Sequence, residues 1–132
     1  MDREATLRRI LWAAAVFNAG GAVSFGFPES FSGRLMALPA AVPALYRAFT
    51  AVFVLLFGGA YAWTAWRTPL FRPFVAFGAI GKTAAFATGL LVWIAGACPG
   101  MTVLVLGGDL VFAALFCWGL AGARETVTAS PP

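Results

Sequence analysis

The sequence predicts an all-α integral membrane protein, a bundle of four spanning helices running antiparallel, up and down, with both termini in the cytoplasm. Three observations lead there. Of the 132 residues, 61% are hydrophobic and only 11% are charged, whereas soluble domains run near half apolar and about a quarter charged. Four apolar runs reach the roughly 20 residues that a spanning helix needs. Basic residues collect on one side of those runs, which the positive-inside rule makes the cytoplasmic side. Four such helices with short links occupy nearly all of the sequence, so the reading is one membrane domain over residues 1–132 with no room for a soluble catalytic domain.

The first span is expected over residues 8–27, preceded by Arg3, Arg8 and Arg9 and stopped at Phe27-Pro28, where proline ends the helix. A secretory signal peptide is the rival reading, but Asp2 and Glu4 dilute its basic start and the apolar run is long for an h-region. A retained helix is favoured. Residues 30–38 place Phe31, Leu35 and Leu38 at helical spacing, so this link is either a short helix lying in the interface or an irregular loop.

Span two is expected over residues 45–66, with Pro43 just ahead of it. Its far end carries Tyr61, Trp63 and Trp66, the aromatic belt of a headgroup region. The tight link Arg67 to Pro73 makes spans two and three antiparallel neighbours. Span three follows over residues 74–97. After the Cys98-Pro99-Gly100 turn comes span four over residues 102–123, with Thr102 as its expected cap. Arg3, Arg8, Arg9, Arg67, Arg72 and Arg124 flank the inner ends, against Arg34 and Arg47 outside. Cys98 and Cys117 then lie at opposite heights and cannot meet in a disulfide.

The net charge of +4 does not indicate nucleic acid, because the arginines punctuate apolar runs rather than forming a water-facing patch. There is no histidine and no CxxC pair, so no metal, no cofactor and no thiol-relay chemistry is expected. Chemistry is carried instead by charge inside the spans. Lys82 and Asp109 each cost on the order of 2.5–3.5 kcal/mol at a helix centre, so neither should face lipid. From the ends of their spans they lie about 12 Å and about 10 Å deep, within reach of one another.

Helical spacing also directs small residues inward. Gly78, Lys82, Ala85, Gly89 and Gly96 share a face of span three, and Gly107 and Gly108 precede Asp109. Asn18 shares its face with Ala14, Ala15, Gly21 and Ala22, while Arg47, Thr50, Gly58 and Tyr61 form a stripe on span two. The candidate binding residues are therefore Lys82, Asp109, Arg47, Asn18 and Tyr61. The alternative is purely structural: the charged pair locks two helices, Asn18 and Tyr61 satisfy leftover polar groups, and Arg47 snorkels to the interface.

A small multidrug exporter would carry a glutamate in its first span, where this chain has only Asn18. Quinone-linked disulfide enzymes need a CxxC, and no motif of the glutathione-linked four-span enzymes is present. The Asn-Ala-Gly-Gly stretch from Asn18, Phe27-Pro28, Gly-Gly-Ala-Tyr from Gly58 to Tyr61, and Gly-Gly-Asp from Gly107 to Asp109 together resemble the DoxX-like small four-span bacterial membrane proteins. That resemblance implies a multi-pass protein of the bacterial inner membrane. The family's functions are diverse, some members being tied to respiratory or redox assemblies, and it assigns no catalytic residue here.

The expected function is a non-catalytic binding or accessory subunit that recognises a hydrophobic ligand, a lipid or a membrane partner. Two alternatives remain. One is an oligomeric transporter or proton-coupled carrier using Lys82 and Asp109. The other is an enzyme acting on a lipid or isoprenoid, with Tyr61 or Asp109 as acid or base. Expected partners are the bilayer, a lipid or hydrophobic small molecule, and a second copy or another membrane protein.

Overall fold

Asp2 starts the first helix, its carboxylate accepting the Glu4 backbone N–H at 3.0 Å, so α1 (Arg3–Gly26) begins five residues before the expected position 8. The computed structural model describes residues 2–121, whose regular elements are all helices, with no strand among them. After Pro28, the Ser30 hydroxyl accepts the Gly33 N–H at 3.1 Å and opens a five-residue helix, α2 (Phe31–Leu35). That decides the open question for 31–35 in favour of helix, while Met36 and Ala37 form a turn and Leu38 and Pro39 have no regular structure. Three further helices follow: α3 (Ala44–Trp66), α4 (Arg72–Ile94) and α5 (Gly100–Ala121).

Two helix ends share one device. At the end of α4, Gly96 takes φ +72, Ala97 N–H reaches the Val92 carbonyl at 3.0 Å, and Gly96 N–H reaches that of Trp93 at 2.8 Å. This Schellman pattern stops the helix three residues short of the expected 97. At the end of α2 the same pair of bonds runs from Leu38 to Gly33 and from Ala37 to Arg34, with Ala37 at φ 53. An alanine there carries a Cβ penalty of roughly 1–2 kcal/mol that glycine would not.

Thr102 does not cap α5. It sits inside the first turn, and its hydroxyl donates to the Met36 carbonyl at 2.8 Å, tying α5 to the end of α2. The expected end of this helix at 123, like Arg124, lies outside the described residues.

The long helices form two pairs, α1 against α3 and α4 against α5. The pairs meet chiefly where α1 crosses α5, and there the core gathers: Leu7, Leu11, Tyr61, Ala65, Val75, Ala79 and Phe116. Tyr61 is thus a core residue, not part of an aromatic belt, whereas Trp63 and Trp66 are exposed. The tight link does not make α3 and α4 close neighbours. They touch little beyond its vicinity, where rings stand between them: Phe74 is 5.7 Å from Tyr61, and Phe77 is 6.1 Å from Phe57. Arg8 closes this end of the bundle. Its guanidinium donates to the Ala65 and Arg67 carbonyls, both at 2.6 Å, covering groups that the end of α3 leaves open.

Helices α3, α4 and α5 are each long and apolar enough to cross a membrane. Large apolar side chains such as Leu104, Ile80, Leu91, Leu56 and Trp66 stand exposed around them. The glycines that matter are those with a neighbour where a Cβ would go. At Gly78 that Cβ would lie 2.7 Å from the Tyr61 ring and 3.3 Å from Phe116, whereas Gly59 faces open space. Gly78→Ala is therefore expected to lose about 1–3 kcal/mol through overpacking. Gly59→Ala should be neutral or gain up to about 1 kcal/mol. Thermal unfolding in mild detergent measures both, and equal effects would refute this packing.

Candidate ligand cleft

Lys82 lies near the middle of α4 and is only 4% exposed. In an apolar helix its ammonium must find acceptors on neighbouring chains, and it finds two. Nζ donates to the Asn18 Oδ1 on α1 at 2.9 Å and to the Asp109 Oδ1 on α5 at 2.5 Å. Asn18 in turn donates through Nδ2 to the Val54 carbonyl on α3 at 3.2 Å. Gly58 makes this approach possible, because a Cβ there would sit 3.1 Å from that of Asn18 and 3.2 Å from the Ala15 carbonyl. All four long helices are joined through this one ammonium.

Three rings complete its surroundings. Nζ is 5.1 Å from the Phe17 ring centre, 5.2 Å from Phe112 and 5.4 Å from Tyr61. Ring faces of this kind stabilise a desolvated cation by about 2 kcal/mol. Phe17 lies over Gly108, where an added Cβ would come within 2.7 Å of it. The glycine before Asp109 thus admits the ring that shields its partner.

Hydrogen-bonding capacity is left over at the same place. Among the described residues, nothing bonds the Tyr61 hydroxyl, and Asp109 uses only Oδ1. Two of the three ammonium N–H groups are occupied by Asn18 and Asp109. Tyr61 is 2% exposed and the Asp109 side chain 13%, so what they face is not bulk solvent.

They face a cleft of about 1020 Å³ between the two helix pairs. Its floor is Asn18, Tyr61, Lys82 and Asp109. Its walls are apolar, with Phe25, Phe53, Phe57, Val92 and Leu106 prominent. Met36 to Pro39 and Cys98-Pro99 line its other end, where the Thr102 to Met36 bond joins the two sides. A large apolar space with a few convergent polar groups is the usual form of a small-molecule site.

Four of the five candidate residues therefore come together. Arg47 does not. It lies roughly 21 Å along α3 from Tyr61, at about 1.5 Å per residue. There it lines a separate recess of about 150 Å³ with Phe25, Leu38 and Tyr46, and its Nε is buried without a partner. Sequence reasoning missed Phe17, Phe112 and Arg8. The spacing of Asp109, Phe112 and Phe116 along one helical face was a usable signal for Phe112. Cys98 and Cys117 are unpaired.

No protein-family model, curated protein or solved structure matches the chain.

Removing one member of a buried ion pair costs about 3–5 kcal/mol because it strands the other charge, whereas removing both is far milder. Lys82→Met and Asp109→Asn are each expected to lower the unfolding temperature strongly, and the double variant to recover most of the loss. Thermal unfolding of all four proteins measures the coupling. Simple additivity would show that the two charges do not depend on each other.

Proposed function

We propose that this chain is a four-span protein of the bacterial inner membrane that holds an amphiphile in the cleft, as a non-catalytic binding or accessory subunit. The carrying observation is the cleft itself: about 1020 Å³ of apolar space ending on Asn18, Tyr61, Lys82 and Asp109. An apolar tail lies among the phenylalanines, and a polar head meets the floor. Such a site binds without reacting, since its one strong acid–base pair is already joined internally.

Counting α1 as the fourth span is supported by its length and by its partner. At about 1.5 Å per residue its uncharged stretch from Ile10 to Gly26 rises roughly 25 Å, close to a hydrocarbon core of about 30 Å. It lies along α3 from Arg8 at the Ala65 carbonyl to Gly26 beside Ala51. Arg3, Arg8, Arg9, Arg67 and Arg72 fall at one end of the bundle, which favours an inside N-terminus. In a Cys117→Ala background, Cys98 should then react with a membrane-impermeant maleimide on intact spheroplasts. Labelling that appears only after lysis would reverse the orientation.

The binding reading is tested by filling the cleft. Ala85 is exposed on α4 and lines it, so Ala85→Trp fills space without disturbing the core. Native mass spectrometry of protein released from mild detergent should find a lipid-sized adduct on the wild type and none on Ala85→Trp. An adduct of equal occupancy on both would place the amphiphile elsewhere.

A further inference from the structure

The charges that line the cleft cancel. Lys82 and Asp109 are the only charged residues in its described lining, and they are bonded to each other. An anionic headgroup could reach the ammonium's remaining N–H, but it would set a second negative charge beside Asp109 with one cation between them. A cationic head would likewise set a second positive charge beside Lys82. Either leaves one charge uncompensated in an apolar setting, which is strongly unfavourable.

What the floor does offer is neutral hydrogen bonding. Tyr61 is 2% exposed and lines the cleft, and its hydroxyl has no partner among the described residues. It can donate and accept. The second oxygen of Asp109 can only accept. A head that bears a hydroxyl satisfies both, accepting from Tyr61 and donating to Asp109. A ketone or an ester could only accept, and would leave that oxygen unsatisfied beside it. A purely hydrocarbon occupant would leave both groups unmet.

Above the floor there is depth for a chain. From Lys82 to Val92, both lining residues on α4, the helix rises roughly 15 Å at about 1.5 Å per residue. Small residues, namely Gly20, Gly81 and Ala85, line this depth, and nothing stands where a Cβ on either glycine would go.

We propose that the occupant is an uncharged lipid with a hydroxyl head, bound with the hydroxyl between Tyr61 and Asp109 and its chain in the cleft. This rests on the amphiphile reading and narrows it to one headgroup chemistry.

The test uses three probes with one chain and three heads: oleyl alcohol, oleate and oleylamine. The full-length protein is placed in nanodiscs doped equally with each, and occupancy is read by native mass spectrometry. Wild type should retain the alcohol about tenfold over either charged probe, a margin of about 1.4 kcal/mol. Tyr61→Phe keeps the ion pair and should cut alcohol occupancy by about tenfold while leaving the charged probes unchanged. Oleate or oleylamine bound as well as the alcohol, or an alcohol indifferent to Tyr61→Phe, would overturn the headgroup assignment and leave the cleft reading standing. Failure of all three to bind, or equal binding to Ala85→Trp, would overturn the cleft reading itself.

Discussion

An ammonium set halfway along an apolar helix has to be met from outside its own helix, and meeting it organises this protein. Lys82 draws Asn18 from α1, Asp109 from α5 and, through Asn18, the backbone of α3. The arrangement is demanding because each contact needs a close helix approach, and three of the approaches run over glycine. Gly58 admits Asn18, Gly78 admits the Tyr61 ring, and Gly108 admits Phe17. In lipid there is no hydrophobic gain from pressing one apolar helix against another, so close packing and polar bonds must hold the pairs together. Both converge on this layer.

Much of that was legible in the sequence. Two charges inside apolar runs, with small residues on the same faces, announced a buried pair at common depth, and the structure brings Lys82 and Asp109 into contact. Asn18 was identifiable by similar reasoning. Other features were not visible, for stated reasons. Tyr61 reads both as a belt residue, sharing the end of α3 with Trp63 and Trp66, and as part of the inward stripe with Gly58, and only the packing of α3 decides for the core. Arg47 sits on the same stripe as Tyr61, but a stripe on a helix extends over many ångströms, and its two ends serve different surroundings. Thr102 has the composition of a cap, yet the chain starts α5 earlier and spends the hydroxyl on α2. Spacing along one helix says which residues share a face. It does not say what that face meets.

The shape of the cleft follows from where the helix pairs are fastened. At the end bearing Leu7, Phe116 and Gly119 they are packed tightly, and Arg8 seals the end of α3. The ammonium fastens them again in the middle. Beyond it the only hydrogen bond across the gap is that of Thr102 to Met36, among the described residues. Between those two fastenings small residues such as Gly20, Gly81 and Ala85 stand among the larger apolar ones and leave space open. A cleft there is what the sequence specifies by putting glycine and alanine where a well-filled bundle would have leucine.

The structural and the binding interpretations of Lys82 and Asp109 are therefore not rivals. A buried ion pair is a poor source of stability compared with packed hydrocarbon, since the cost of desolvation offsets much of the attraction. Replacing the whole layer with apolar side chains of matching volume would be a simpler way to hold four helices together. Keeping a charged pair has one consequence that such a replacement cannot reproduce: it leaves polar residues, Asp109 beside Tyr61, lining an apolar space. The pair fastens the middle of the bundle and, in doing so, sets the polarity of the cleft's floor. On the proposed reading, a floor that is polar yet neutral overall discriminates among amphiphiles by their heads, because a charged head adds a charge that the pair cannot compensate.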